Sequence, residues 1–96
     1  MAPSQLQIKI NALKRLIKEE GLYQREVTEQ EQHVNQMKAN NADEYELKKQ
    51  VEVLEESKRM VPQVSKKIED LKKSLQEYLE SYTGDEDLTE AKELLN

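Results

Sequence analysis

Apolar residues recur through the first forty positions at Leu6, Ile10, Leu13, Leu16, Ile17, Tyr23, Val27, Val34 and Met37. Steps of three and four dominate, which is one face of an α-helix. In heptad terms one seam reads Leu13, Glu20, Val27, Val34 and the other Leu16, Tyr23, Gln30, Met37. Glu20 and Gln30 are polar, so the middle of this helix is less apolar than its start. Gly21, beside Glu20, weakens the helix by about 1 kcal/mol relative to alanine. Ser4-Gln5-Leu6-Gln7 has the form of a capping box, which sets the start near residue 4. Ala39-Asn40-Asn41-Ala42 is short, polar and turn-like, and ends the pattern.

The second stripe is cleaner. Leu47, Leu54, Val61, Ile68, Leu75 and Tyr82 recur every seven residues, with Ser57, Val64, Leu71 and Tyr78 as the companion seam and Val51 near its start. Asp43-Glu44-Tyr45-Glu46 offers a cap, and Gly84 suits a left-handed stop. A third, short element is expected from Asp87-Leu88-Thr89-Glu90 onward, with Leu88, Ala91, Leu94 and Leu95 as its apolar face. The expected architecture is all-α, a single domain over residues 1–96. Helix 1 covers about 4–39, helix 2 about 44–82 and helix 3 about 87–95. A four-residue link makes the long helices antiparallel neighbours. The result is an elongated helical hairpin, a coiled-coil-like rod, with the short third helix completing a three-helix bundle at the end that holds the N-terminus.

Pro62 interrupts the second pattern chemically. A proline inside a helix removes one backbone hydrogen bond and costs about 3 kcal/mol. The heptad register places it one step past the Val61 seam, on the outward side. The freed carbonyl, that of Lys58, also faces outward and can be hydrated. Because the seam resumes at Val64, Ile68 and Leu71, helix 2 is expected to kink and bow outward at Pro62 rather than end there.

Composition narrows the function. Charged residues make up 36% and hydrophobic ones 35%, with two glycines, two prolines, four tyrosines and no Trp or Phe, which disfavours a compact β-domain. The chain has no cysteine, so thiol chemistry is excluded. No apolar run is long enough for a membrane span or a secretory signal, and the cytoplasm is the expected compartment. The net charge of −5 is concentrated at the end, where residues 83–96 carry −4. Without a basic stripe, nucleic acid is not an expected partner.

Candidate chemistry is sparse. His33, the single histidine, has Glu29 four residues earlier, but zinc sites want three or four ligands, so a solvated histidine is the reading. Glu19-Glu20, Glu55-Glu56 and Glu69-Asp70 lack a pocket that would shift a pKa for acid–base work. They read as polar faces supported by i,i+4 partners such as Glu55 with Arg59 and Glu69 with Lys73. The pairs Lys48-Lys49, Lys66-Lys67 and Lys72-Lys73 are interleaved with acids and read as a mixed-charge face. Tyr23, Tyr78 and Tyr82 fall on the seams and read as core or rod-end residues, while Tyr45 stands near the turn.

The ordered combination Leu13-Lys14-Arg15-Leu16-Ile17-Lys18-Glu19-Glu20, a turn, Leu47-Lys48-Lys49-Gln50, then Arg59-Met60-Val61-Pro62 resembles the tubulin-folding cofactor A family. The opening Met1-Ala2-Pro3-Ser4-Gln5-Leu6 is similar to its fungal members. The likeness extends over residues 1 to about 87, and the final helix is shorter than the family's usual one. The resemblance implies a chaperone that holds newly folded β-tubulin after the chaperonin and before α/β-tubulin assembly. It implies no enzymatic activity, cofactor or nucleotide, and an association with the cytoskeleton. The resemblance also implies that the middle, kinked helix is a main β-tubulin-facing element. Its convex surface here would be Lys48, Lys49, Glu55, Glu56, Arg59, Pro62, Gln63 and Lys66. A two-helix hairpin covers its seam only partly, so a second copy, as a homodimer, is the other partner that the pattern admits. The competing function is a structural coiled-coil module that joins copies of itself or a scaffold. The polar seam positions, Gly21 and Pro62 argue against a simple zipper.

Overall fold

The computed structural model describes residues 2–96. Met1, part of the opening with the fungal likeness, lies outside them. Helix α1 spans Gln5–Ala39, α2 spans Glu44–Glu80 and α3 spans Thr89–Leu95. The two long helices pack against each other along their lengths, and the extents are 63 × 24 × 20 Å. The radius of gyration is 19.3 Å, against the ~12–13 Å of a compact domain of this length. The molecule is a rod.

Leu6, Ile10, Leu13, Val64, Ile68, Leu75 and Ala91 form the main core, with Leu16, Tyr23, Leu71, Tyr78, Tyr82, Leu88 and Leu95 packed around it. All three helices contribute, so the end holding the N-terminus is a three-helix bundle. Toward the turn only two helices remain, and Val34 and Leu54 are buried there outside that cluster. The periodicity of both sequences is thus realised as burial. Tyr45, off the seams, is 64% exposed, with the Lys49 ammonium 4.7 Å from its ring centroid.

The polar seam positions sit at mid-rod. Glu20 accepts a hydrogen bond of 2.5 Å from the Ser65 hydroxyl, tying α1 to α2. Gln30 is half-buried, and its Oε1 is shielded from solvent with no donor facing it.

Helix ends depart from the sequence reading in several ways. At Ser4 the hydroxyl caps the Gln7 amide at 3.1 Å, but the Gln7 side chain bonds Asn11 at 2.9 Å instead of closing the box. Asp43 caps nothing with its side chain. The left-handed stop is not at Gly84. It is at Asn41, with φ of 54°, where the Ala42 amide donates to Met37 and the Asn41 amide to Lys38. This is the Schellman pattern that satisfies the last carbonyls of α1, and asparagine is the residue besides glycine that tolerates it. Helix α2 ends at Glu80, short of Tyr82. The Tyr82 ring folds over Gly84, where a Cβ would lie 2.5 Å from the phenol oxygen. That phenol accepts from the Glu86 amide at 3.1 Å. Asp87 is not the cap of α3: it accepts from the Thr89 amide and hydroxyl at 3.0 and 2.6 Å, and α3 begins at Thr89.

Helix α2 passes through Pro62 without interruption. The expected i,i+4 pairs of Glu55 with Arg59 and Glu69 with Lys73 do not form. The ion pairs among the described residues are Lys14–Glu90 at 3.4 Å and Lys58–Glu31 at 3.2 Å, both between helices. Long side chains on exposed helix faces gain little from pairing locally in water.

Candidate functional site

The heptad places Lys48, Glu55 and Pro62 at one outward position of α2, Lys49, Glu56 and Gln63 at the next, and Arg59 and Lys66 between them on the outermost line. All eight side chains are exposed. They share one broad outer face because their spacing avoids the seam residues Leu54, Val61, Val64 and Ile68. The face alternates in sign: three lysines and one arginine stand among two glutamates. Neither of the two ion pairs among the described residues uses these charges, apart from the cation–π contact of Lys49. Their full hydrogen-bonding capacity is therefore turned to solvent or to a partner.

Pro62 has a second setting that the sequence reading did not reach. It stands at the edge of an open groove of about 440 Å³ between α1 and α2. Half-buried Val27 and Val61 line its base, Gln24 and Thr28 border it on α1, and the Lys58–Glu31 pair lies across it. A second cleft continues past that pair beside Val34, Val51 and Leu54. Both clefts lie along the flank of the apolar seam over residues 24–38 and 51–62.

At the opposite end the side chains are engaged with each other. Ser4 donates to Glu86 at 2.8 Å, and Lys9 donates to Ser74 at 3.2 Å with its ammonium 5.4 Å from the Tyr78 ring centroid. Desolvation raises the Tyr82 phenol above its ordinary 10.0, and hydrogen bonds from Thr89 hold Asp87 below its ordinary 3.8. These shifts are features of the α2–α3 junction, far from the outer face of α2. Among the described residues no three of His, Cys, Asp and Glu gather as a metal site, and no helix is long and apolar enough to cross a membrane. His33 is exposed beside no such cluster.

What the geometry offers is a stiff, charged surface of helices about 60 Å long and grooves open at the side. This defines a protein-binding helical rod. The family model for tubulin binding cofactor A matches residues 1–95. The chain is 50% identical to the tubulin-specific chaperone A of Saccharomyces cerevisiae over 93 residues, covering 96% of this chain and 88% of the relative. It is 38% identical to the human tubulin-specific chaperone A over 89 residues, covering 93% and 80% respectively. The solved structure of Rbl2p, described as a β-tubulin binding post-chaperonin cofactor, superposes with a TM-score of 0.89 at 46% identity, covering 96% of this chain and 91% of that one. The crystal structure of tubulin folding cofactor A from Arabidopsis thaliana gives 0.77 at 36% identity, covering 94% and 88%. The chain belongs to the tubulin binding cofactor A family.

Proposed function

We propose that this rod captures β-tubulin after its release from the chaperonin and holds it until it joins α-tubulin, in the cytoplasm and in the service of the cytoskeleton. The observation that carries this reading is family membership along nearly the whole chain, together with a fold that superposes on a β-tubulin binding cofactor. The rod acts as one helical unit. Lys48, Lys49, Glu55, Glu56, Arg59, Pro62, Gln63 and Lys66 supply the contact surface on α2.

The physical basis is preorganisation. The two helices hold their outer charges in fixed register before the client arrives, so little ordering entropy is lost on binding. Charges of both signs steer the encounter and set orientation more than they add affinity. Pro62 leaves the Lys58 carbonyl without its helical donor, and a bow at that point would turn the charged face convex toward the client. No bond is made or broken, and the cycle ends when α-tubulin takes the client over.

Charge reversal tests the surface. The double variant Arg59→Glu, Lys66→Glu should lower the affinity for chaperonin-released β-tubulin by about tenfold or more, since charged contacts of this kind govern encounter and register. Its helix content should be unchanged because both positions are solvated. Unchanged capture removes the outer face of α2 as the contact.

A further inference from the structure

The outer face of α1 differs in charge from that of α2. Between residues 7 and 28 its outward heptad lines carry Lys14, Arg15, Lys18 and Arg25 and no acid. All four are exposed. Lys14 is turned to Glu90 at 3.4 Å. Arg15, Lys18 and Arg25 take part in no ion pair among the described residues. Arg15 has Glu19 four residues on, and Arg25 has Glu29, yet neither pair closes. A base placed before its acid is the weaker order on a helix. Lys18 has Arg15 and Lys14 three and four residues before it, and like charges at these spacings oppose the helix.

Gly21 lies among these cations. Lys18 and Arg25, three residues before it and four after, are its neighbours on the helix surface. Leu22, 52% exposed, stands on the other side of the line that joins them. Nothing inside the molecule calls for a glycine there. Its φ is not left-handed, and a Cβ would meet no atom within 4 Å. A glycine within a helix costs conformational entropy, and what it provides is a place where another backbone can approach closely.

We infer that this strip is a docking site for an extended acidic segment of a protein partner. The segment's backbone crosses at Gly21, its carboxylates meet Arg15, Lys18 and Arg25, and an apolar side chain rests on Leu22. The inference goes beyond the reading proposed above, since it concerns the other long helix and is defined by its own ligand chemistry. Steps of three and four residues advance roughly 4.5–6 Å along a helix. Alternate side chains of an extended chain advance roughly 6.5 Å. A segment with acids at its first, third and seventh positions and an apolar residue at its fifth therefore follows Arg15, Lys18, Leu22 and Arg25. The long basic side chains take up the difference. Each arginine fork can donate two parallel hydrogen bonds to one carboxylate.

A nucleic acid fits this strip less well. Its charges recur without a break along the strand, whereas Glu29 and Glu31 follow Arg25 along α1 and the whole chain carries −5. Glu19 and Glu26 border the strip on one side. Leu22 offers a phosphate backbone no contact that an apolar side chain would not use better.

A synthetic peptide tests the strip. The probe is a labelled heptapeptide with glutamates at its first, third and seventh positions, leucine at its fifth and serines between, and its binding to the full chain is read by fluorescence anisotropy. Binding should saturate, and should weaken at least about fivefold between ~0.01 and ~0.15 M salt as the screening length falls from about 30 to about 8 Å. The double variant Lys18→Gln, Arg25→Gln should bind at least about fivefold more weakly, each exposed charge contact being worth up to a few-fold. Lys67→Gln, Lys73→Gln removes the same charge from exposed positions of α2 and should bind within about twofold of the unaltered chain. Gly21→Gln should raise the melting temperature, since glutamine is the better helix former, yet weaken binding at least about threefold by covering the backbone. A folding defect cannot produce that combination. Equal loss in the two double variants would show attraction to net charge alone and overturn the strip. Unchanged binding by Gly21→Gln would overturn it too, as would equal binding of a heptapeptide with glutamines for its glutamates. Tighter binding of a seven-nucleotide oligothymidylate would assign the strip to nucleic acid instead. An unaltered chain that does not bind the heptapeptide overturns the strip and leaves the proposed capture of β-tubulin standing.

Discussion

Gln30 shows how a single residue records a compromise. Its Oε1 is shielded from solvent with no donor, at a seam position where a leucine would pack. Leaving such an acceptor unpaired costs about 1–3 kcal/mol. Gln30→Leu should therefore raise stability by about 1 kcal/mol in chemical denaturation, with the slope against denaturant unchanged. A loss of stability would mean that the amide has a partner. Sequence pattern identified Glu20 and Gln30 as polar breaks in an apolar seam. It could not assign a partner to Glu20, because Ser65 reaches it from α2 and only the packed geometry brings them together. The tyrosines were legible for the same reason that the leucines were: Tyr23, Tyr78 and Tyr82 follow the seam and pack against the core.

Among the elements, α2 was the most legible, since five of its residues, Leu47, Leu54, Val61, Ile68 and Leu75, in strict heptad spacing specify both helix and packed face. Its ends were the least legible. Gly84 is a strong generic stop signal, yet the helix ends at Glu80 with Ser81 as its cap, and Gly84 allows the close approach of Tyr82. The left-handed position fell to Asn41, one of two adjacent asparagines that pattern alone does not distinguish. Pro62 is the test of α2 itself. Pro62→Ala restores a donor to the Lys58 carbonyl and removes the ring clash, so it should stabilise the rod by up to about 3 kcal/mol. It should also weaken β-tubulin capture; a stronger helix with unchanged capture would leave the proline without a functional role. At the start of α3, Asp87 is held below its ordinary pKa by its bonds from Thr89. A carboxyl depressed in the folded state contributes stability above its unfolded pKa, and that contribution fades as the pH falls through the folded one. Amide exchange at Thr89, corrected for intrinsic rate, should accelerate below about pH 4, near the unfolded aspartate value. Protection at Thr89 that is flat through this range would show that the turn does not depend on the carboxylate.

For the molecule as a whole, the division between a three-helix end and a two-helix end decides what is available for binding. The three-helix end carries the main core, and Ser4–Glu86, Lys9–Ser74 and Lys14–Glu90 tie its elements to one another. The remainder presents charged side chains and an open flank. Periodicity made the rod legible, and the third helix was placed at the correct end because a short element soon after α2 packs where α2 finishes. The outer face of α2 was legible as a set of exposed positions. The groove beside it was not, since its width depends on how far the two long helices stand apart. The central claim is capture of β-tubulin by the free rod, and co-migration measures it most directly. Labelled β-tubulin released from a chaperonin, mixed with excess purified chain and resolved by native electrophoresis or sedimentation, should move as a discrete complex containing both proteins without any nucleotide added. β-Tubulin that migrates apart from the chain at every concentration would contradict the account.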